Sequence, residues 1–362
     1  QGAWTPNSLA SAIGLATFLV LLFTALLRPF VAGRIGAAIL GMLLILSAGV
    51  SHYLDTWGVL FDKGLFRSMF QTDMREVREL ISFPALFDLI WRGVLPAAFL
   101  WFIGIRRVGW KRSAMHSGLM FMAAGAVGAA LIASSYGTLA PTFRNHRELR
   151  FQLVPTNYIN AVYGYFKGEA SSSPKIVQIA PDARRSSTPS ERPLVLVLIV
   201  GETARAANFS LGGYARDTNA SLAGRDILYF PNVTSCGTDT ATSLPCMFSG
   251  LGAKEFSLSK ARIRENALDV LQRTGVSVQW IDNNSGCKGV CARVPTTQMP
   301  TSGIEHLCDE GSCRDEILTQ SLRERLIDVK RDTAIVLHQM GSHGPAYYRR
   351  YPAPGRFQPT CD

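Results

Sequence analysis

Four apolar segments in the first part of the chain constrain its fold more than any other feature. They cover residues 9–27, 35–53, 85–105 and 114–136, and each has about 20 residues with few charges. A helix of that length crosses the hydrocarbon core of a bilayer. The first segment resembles the core of a signal peptide, but three more follow it, so we interpret it as an anchor. The sequence therefore predicts a multi-span α-helical membrane domain over residues 1–140.

Basic residues predict the orientation of these spans. The loop 106–112 has four positive charges and no acid, which is typical of a cytoplasmic loop. The loop 54–84 mixes acidic and basic residues, so we expect it on the opposite side together with everything after residue 140. Four spans would then put the N-terminus outside as well. We therefore expect that an upstream span is missing and that the chain is an interior fragment of a longer protein.

A bridging region is predicted over residues 141–193. Arginines and aromatic residues alternate in the segment 144–168, which favours an amphipathic helix, either on the membrane surface or as a plain connection. Residues 169–193 are rich in Ser, Pro and Arg, as linkers are. The net charge of +10 suits contact with anionic lipid or phosphate. No basic stripe carries interleaved aromatics, so we expect no nucleic-acid partner.

The remaining residues, 194–362, have the pattern of an α/β domain. Three apolar runs at 194–200, 276–281 and 333–337 predict buried strands of a mostly parallel sheet. Helical patterns at 264–274 and 315–329 lie between them. Ligands of such sheets bind beyond the carboxyl ends of the strands. Glu202, Asp282 and His338 stand at or just past those ends.

All seven cysteines lie in this second half of the chain. Six of them form three close pairs along the sequence: Cys236 with Cys246, Cys287 with Cys291, and Cys308 with Cys313. An exported domain favours local disulfides, whereas the second and third pairs would also pass as halves of a zinc site. Cys361 is left over, and we expect it to pair with a cysteine beyond residue 362.

Several polar residues near the predicted strand ends are candidates for chemistry. Glu202 can coordinate a cation such as zinc, or it can be a helix cap or a surface acid. The turn from Gly237 to Ser243 offers four hydroxyls at a predicted helix start. A hydroxyl there is either a cap or a nucleophile placed where a phosphate is stabilised.

Two histidines and a lysine complete the candidate set. His338 and His343 lie five residues apart in a glycine-bearing turn after a strand. They can bind metal or donate a hydrogen bond to phosphate, or they can be structural. Lys288 lies between Cys287 and Cys291, where it would pair with phosphate or remain a solvated lysine.

These blocks closely resemble the lipid A phosphoethanolamine transferases, which include the mobile colistin-resistance enzymes. The matching stretches begin with Gly201-Glu-Thr-Ala-Arg, Gly213-Tyr-Ala-Arg-Asp, Ser235-Cys-Gly-Thr-Asp-Thr and His338-Gln-Met-Gly-Ser-His. The resemblance implies a zinc-dependent enzyme of the bacterial inner membrane, with a periplasmic domain of alkaline-phosphatase/sulfatase-like type. It implies transfer of phosphoethanolamine from phosphatidylethanolamine onto a threonine and then to a phosphate of lipid A, with polymyxin and colistin resistance. We expect a monomer.

The resemblance also implies residue roles. Thr240 matches the nucleophile, and Thr240 and Glu202 match zinc (Zn2+) ligands. His338 and His343 match residues that handle the phosphoethanolamine group or a second zinc, and Lys288 and Ser285 match residues of the substrate site. Thr72 and Glu76 match a loop that contacts lipid substrate, in which Ser68 replaces a common Asn. The remaining zinc ligands of the family lie in an Asp-His-Gly-Glu block beyond the end of this chain.

Three other functions are compatible with parts of the pattern. One is transfer of phosphoethanolamine or glycerol phosphate to another periplasmic glycan. Another is hydrolysis of the sulfatase type, which needs a Cys or Ser in a C/S-x-P-x-R context that does not surround Thr240. The third is a non-catalytic membrane sensor, against which the presence of both Thr240 and Glu202 argues.

Overall fold

The computed structural model describes residues 6–31, 33–71, 77–78, 80–105, 108–145, 149, 151–169, 175–185, 192–302, 304, 306–309, 311–344, 346–352 and 354–359. The chain forms two compact units. One comprises Gln1–Phe66 with Ile81–Phe166, and the other comprises Arg67–Leu80 with Lys167–Asp362.

Most of the described residues before residue 170 are helical. Its helices are α1 (Pro6–Leu27), α2 (Gly33–Trp57), α3 (Lys63–Gln71), α4 (Phe83–Ile103), α5 (Trp110–Asn145) and α6 (Thr156–Glu169). Segments of α1, α2, α4 and α5 are long and apolar enough to cross a membrane. The four predicted apolar segments are therefore confirmed as helices.

Small residues let these helices approach one another. A side chain at Gly14 of α1 would lie 2.5 Å from Leu131 of α5, and one at Gly93 of α4 would lie 3.0 Å from the Cα of Ile45 in α2. Helices in lipid have no hydrophobic driving force for association, so close van der Waals packing of this kind holds them together instead. The middle of α4, Leu89–Val94, is a π-helical turn that the sequence did not predict.

The prediction of one continuous helix over residues 144–168 is wrong. Helix α5 continues to Asn145, and α6 begins only at Thr156. Pro155 has no N–H to donate, and it disfavours helical geometry in the residue before it. A helix therefore begins after Pro155 more readily than it continues through this residue.

Part of the predicted linker is ordered. The backbone N–H of Val177 donates to the Ile263 carbonyl at 2.7 Å, and the Glu265 N–H donates to the Val177 carbonyl at 2.9 Å. These two bonds form a parallel bridge between Val177 and Arg264. The Ser, Pro and Arg composition of 169–193 concealed it, because one bridge residue leaves no periodic pattern.

The second unit contains a four-stranded parallel sheet. Its strands are β1 (Val195–Val200), β2 (Ser277–Asp282), β3 (Thr296–Gln298) and β6 (Thr333–His338), in the order β1-β6-β2-β3. Strands β4 (Cys308–Asp309) and β5 (Ser312–Cys313) form a separate antiparallel hairpin. The predicted α/β class is confirmed, while β3 and the hairpin are additions.

Helices cover both faces of the sheet. Strand β6 is buried throughout, with Ala334 and Val336 in one core cluster and Ile335 and Leu337 in the other. The first cluster includes side chains of α7 (Thr240–Phe248) and α9 (Ala267–Arg273), and the second includes those of α10 (Glu316–Leu326). A short helix, α8 (Leu258–Arg262), precedes α9.

The strand register aligns three residues at the carboxyl edge of the sheet. Val200 of β1 and Asp282 of β2 both pair with His338 of β6. The loops that follow these residues therefore start side by side, and they carry the candidate site.

Candidate active site

The site is centred on a hydrogen bond between Thr240 and Glu202. Thr240 is the first residue of α7, and its Oγ1 donates to Glu202 Oε2 at 2.9 Å. Thr203 Oγ1 donates to the other carboxylate oxygen, Oε1, at 3.0 Å. Thr203 has a φ of +54°, an uncommon value for a residue with a side chain. The turn after β1 thus folds back sharply to present the carboxylate to α7.

Local structure fixes the Thr240 hydroxyl at the start of α7. The disulfide Cys236–Cys246 links the preceding turn to the helix, and Gly237 permits the turn because a side chain there would lie 2.8 Å from Thr242 Cγ2. The first N–H groups of a helix have no partner within it, and with the helix dipole they favour an anion. A phosphate approaching Thr240 would meet such groups.

The turn that carries His343 rests on the backbone of Glu202. Gly341 has a φ of +55°, and a side chain there would lie 2.5 Å from the Glu202 carbonyl oxygen. The backbone N–H of Ser342 donates to the same oxygen at 3.2 Å. His343 Nδ1 lies 4.0 Å from Glu202 Oε1, so the imidazole faces the carboxylate across a short gap.

The Glu202 carboxylate is held in its charged form. Burial by itself would raise the pKa of Glu202, but the His343 imidazole and the hydroxyls of Thr240 and Thr203 outweigh burial and lower that pKa to about 2. An ionised carboxylate with so low a pKa is a weak base and a good cation ligand. It accepts the Thr240 hydrogen bond without readily taking the proton.

His338 lies beneath this site in the interior. Its side chain is 0% exposed, and its Nδ1 lies 3.1 Å from Asp282 Oδ2. The same oxygen accepts the indole N–H of Trp280 at 2.7 Å. Burial tends to raise the pKa of Asp282, but the His338 bond and charge, with the Trp280 and Asn284 donors, lower it overall. The structure thus buries His338 in the core, whereas the resemblance implied a role at the phosphoethanolamine group or at a second zinc.

Ser285 and Lys288 lie in the loop after β2. Lys288 Nζ donates to the Ser285 carbonyl oxygen at 2.9 Å and to Ser285 Oγ at 3.0 Å. Lys288 has a φ of +50° within the loop closed by Cys287–Cys291. Asn284 Nδ2 donates to the Gln339 carbonyl at 2.8 Å, which joins this loop to the end of β6.

Some predicted residues cannot be placed. Thr72, Glu76 and Cys361 lie outside the described residues. The six other cysteines form the disulfides expected from their spacing, Cys236–Cys246, Cys287–Cys291 and Cys308–Cys313.

The donor set around Thr240 fits part of a zinc site. An ionised carboxylate, a hydroxyl and a nearby imidazole are all ligand types that zinc accepts. Among the described residues, no group of three or more His, Cys, Asp or Glu side chains is gathered as a metal site. Glu202 and Thr240 are the residues at this site that would contribute ligands to such an ion.

Sequence reasoning missed two residues that shape the site. Gly341 was seen only as part of a turn, because a glycine in a loop carries no signal of the backbone that it packs against, here that of Glu202. Asp315 was seen only as the start of a helix, yet its carboxylate accepts hydrogen bonds from the backbone of Met340 and Gly341. Both residues act through contacts with segments that are distant in the sequence.

The fold and site together define a class: a membrane protein whose α/β domain is of the sulfatase type. The sulfatase family model matches residues 195–362, and the model of the EptA/EptB phosphoethanolamine transferases matches residues 19–170. The chain is thus similar to the phosphoethanolamine transferases, among them EptA and the Mcr proteins.

Individual transferases show this similarity over most of the chain. The chain is 37% identical to phosphoethanolamine transferase EptA of Salmonella typhimurium, over 88% of this chain and 59% of that protein. It is 36% identical to phosphatidylethanolamine transferase Mcr-1 of Escherichia coli, over 95% of this chain and 65% of that protein. The chain thus spans about three fifths of the length of these relatives.

Solved structures support the same fold. The integral membrane protein lipooligosaccharide phosphoethanolamine transferase A of Neisseria meningitidis matches with a TM-score of 0.88 at 34% identity, over 95% of this chain and 65% of that chain. The soluble domain of the Neisseria protein matches with a TM-score of 0.50 at 43% identity, over 52% of this chain and 57% of that chain.

Proposed function

We propose that this protein transfers phosphoethanolamine from phosphatidylethanolamine to a phosphate of lipid A through a covalent intermediate on Thr240. The observation that carries the proposal is the 2.9 Å hydrogen bond from Thr240 Oγ1 to Glu202 Oε2 at the start of α7. The names of its relatives, phosphoethanolamine transferase and phosphatidylethanolamine transferase, support the transferred group and the donor.

Two displacements at phosphorus account for the reaction. In the first, Thr240 Oγ1 forms a bond to the phosphorus of the donor, the bond from phosphorus to the diacylglycerol oxygen breaks, and that oxygen takes up a proton. In the second, an oxygen of the lipid A phosphate bonds to the phosphorus, the bond to Thr240 Oγ1 breaks, and the threonine regains a proton. The group passes from one lipid to another without free phosphoethanolamine.

The residues around Thr240 have different roles in this transfer. Glu202 orients the threonine hydroxyl, and together with Thr240 it would hold zinc, which when bound lowers the pKa of a coordinated hydroxyl. His343 faces the carboxylate and is placed to donate a hydrogen bond to a phosphate oxygen. Lys288 and Ser285 provide a cation and a hydroxyl for the phosphoethanolamine group, and Thr72 and Glu76 contact the lipid.

We place this reaction on the periplasmic side of the bacterial inner membrane. Three disulfides support an oxidising compartment, and four helices able to span a bilayer support a membrane anchor close to both lipids. The protein works as a monomer. Adding an ethanolamine amine to a lipid A phosphate reduces its net negative charge, so polymyxins should bind the modified surface less well.

The test combines two measurements on the full-length protein. Incubation with phosphatidylethanolamine should add the mass of phosphoethanolamine to the peptide that contains Thr240, and Thr240→Ala should remove both the adduct and transfer. Expression in a polymyxin-sensitive Gram-negative host should modify lipid A and raise polymyxin tolerance. An adduct on Thr238 or Thr242 would show that the nucleophile is misassigned.

Analysis of the acceptor separates the main alternative. A more distant relative at 24% identity is named Kdo(2)-lipid A phosphoethanolamine 7''-transferase, whereas the names of EptA and Mcr-1 specify no acceptor position. If the Thr240 adduct forms while lipid A stays unmodified and another periplasmic glycan gains the group, the transferase assignment stands and the acceptor is wrong.

A further inference from the structure

Asp315 uses its side chain in an unusual way for its position. It directly precedes helix α10, where an aspartate commonly accepts a hydrogen bond from an N–H of its own helix. Asp315 makes no such capping bond. Instead, Oδ1 accepts the backbone N–H of Met340 and Oδ2 accepts that of Gly341, both at 2.8 Å. The carboxylate thus binds the turn after β6 rather than its own helix.

Other bonds anchor the same turn to the hairpin β4–β5. Asn283 Nδ2 donates to Asp315 Oδ1 at 2.8 Å and to the Cys313 carbonyl oxygen at 3.0 Å. Arg350 Nε donates to the His343 carbonyl at 3.0 Å, and its Nη1 donates to Ser312 Oγ at 2.7 Å. The turn is therefore held at its start through Asp315 and at its end through Arg350.

The turn that Asp315 holds determines how His343 lies relative to Glu202. Gly341 packs directly on the Glu202 backbone, and the Ser342 N–H donates to the Glu202 carbonyl. His343 Nδ1 lies 4.0 Å from Glu202 Oε1. Gly341 packs on Glu202 without an intervening side chain. A rotation or shift of the turn would therefore change the distance between His343 and Glu202 directly.

We propose that Asp315 is a positioning residue of this site: by holding the N–H groups of Met340 and Gly341, it sets the placement of His343 against Glu202. The effect on turnover rests on the function proposed above, whereas the effect on the turn does not. Asp315 touches neither substrate nor the reacting atoms, so it acts through His343. Hydrogen-bond partners that orient metal-binding groups typically cost about 10- to 100-fold in metal affinity or activity when removed, and we expect a loss of this order for Asp315.

The test compares single variants of the full-length protein and one double variant. Asp315→Ala removes all three acceptor bonds, and Asp315→Asn keeps the size but retains only one acceptor oxygen. Asp332→Asn is the matched control, because Asp332 also accepts a backbone N–H, that of Leu194 at 2.9 Å, but at the amino edge of the sheet. Hydrogen exchange of the peptide 338–344 and steady-state transfer are measured for each.

Exchange of the 338–344 peptide should rise in Asp315→Ala and stay unchanged in Asp332→Asn. Asp315→Ala should lower kcat about 10- to 100-fold with KM for phosphatidylethanolamine unchanged, and Asp315→Asn should lie between it and the parent protein. In a His343→Ala background, Asp315→Ala should cause little further loss, because both changes disable the same group.

Unchanged exchange, or losses that add fully in the double variant, would overturn the proposal. If Asp315→Ala fails to fold, Asp315→Asn with the same readouts decides it. If the parent protein transfers nothing, the proposed function fails, and the exchange measurement still decides whether Asp315 holds the turn.

Discussion

At the scale of single residues, Gly341 is a position with little tolerance for change. Its φ of +55° disfavours any other residue by about 1–2 kcal/mol, and a side chain would also meet the Glu202 carbonyl at 2.5 Å. We expect Gly341→Ala to lower the unfolding free energy by more than the backbone cost alone and to reduce transfer strongly. Thermal unfolding and lipid A mass spectrometry measure the two effects.

Gly275→Ala is the control for that change. Gly275 has a φ of +92°, but a side chain there would meet nothing within 4 Å. This variant should show only the backbone cost and keep its transfer rate. Equal losses of transfer in the two variants would mean that contact with Glu202 is unimportant.

The buried carboxylate of Asp282 gives a second prediction at this scale. Asp282→Asn keeps the size of the side chain but replaces one of its two acceptor oxygens with an NH₂ group. The amide then has only one oxygen for the donors from Trp280, His338 and Asn284. At least one buried donor then loses its acceptor, which should cost about 1–3 kcal/mol of unfolding free energy. Chemical denaturation measures it, and Asp226→Asn at an exposed position should cost almost nothing. Equal stability of the two variants would contradict the prediction.

The sequence pointed to the candidate residues of this site more readily than to the residues that support them. Thr240 and Glu202 lie 38 residues apart and were both predicted, and the structure joins them by a hydrogen bond. Glu202 was a candidate because it follows a predicted strand, whereas Thr240 was selected from four hydroxyls only by the resemblance to the lipid A phosphoethanolamine transferases. Asp315 was not predicted as part of the site, because an aspartate before a helix looks like an ordinary cap. Its real partners are backbone groups of a distant turn.

At the scale of elements, the disulfide Cys236–Cys246 should matter for α7. It closes a loop of 10 residues that contains Thr240, and a short loop of this kind contributes about 2–3 kcal/mol. The double change Cys236→Ala with Cys246→Ala should lower stability by about that amount and also slow transfer, since the turn before Thr240 is released. Chemical denaturation and adduct formation at Thr240 measure the two effects.

Ser257→Ala is a suitable control for the disulfide change. Ser257 caps α8 by accepting the Lys260 N–H, and its loss should cost about 1 kcal/mol without slowing transfer. A disulfide variant that loses stability but keeps the full rate of adduct formation would show that α7 holds Thr240 without the link.

Elements were predictable from sequence where burial leaves a continuous pattern. Strand β6 is buried throughout and was predicted as a buried strand. Strand β1 was predicted from its apolar run, but the expectation that it is buried is wrong, because Leu196 and Ile199 are exposed at the edge of the sheet. Strand β3 is three exposed polar residues, and it exists only because it pairs with β2. The hairpin β4–β5 has two residues in each strand, too few for any periodicity to be seen.

At the scale of the whole molecule, the apolar helices should control insertion into the membrane. Val20 lies within the apolar segment of α1 and is 64% exposed, so it is placed to face lipid. Val20→Lys should disfavour insertion by about 3 kcal/mol, because a charge within the hydrocarbon core is poorly solvated. Phe30→Lys, just beyond α1, is the control and should insert normally. A glycosylation-based insertion assay measures both, and equal insertion would contradict the prediction.

The pairing of β1 with β6 has a consequence for how the protein is made. Val195 pairs with Thr333, so at a synthesis rate of about 5–20 residues per second the first strand waits roughly 10–30 s for its neighbour. During that interval its apolar residues and free backbone groups are open to association with other chains. Each disulfide, in contrast, joins cysteines at most 10 residues apart and can form before β6 emerges. Oxidation of the loops can therefore precede closure of the sheet, and a holding chaperone would be needed most for the segment that contains β1.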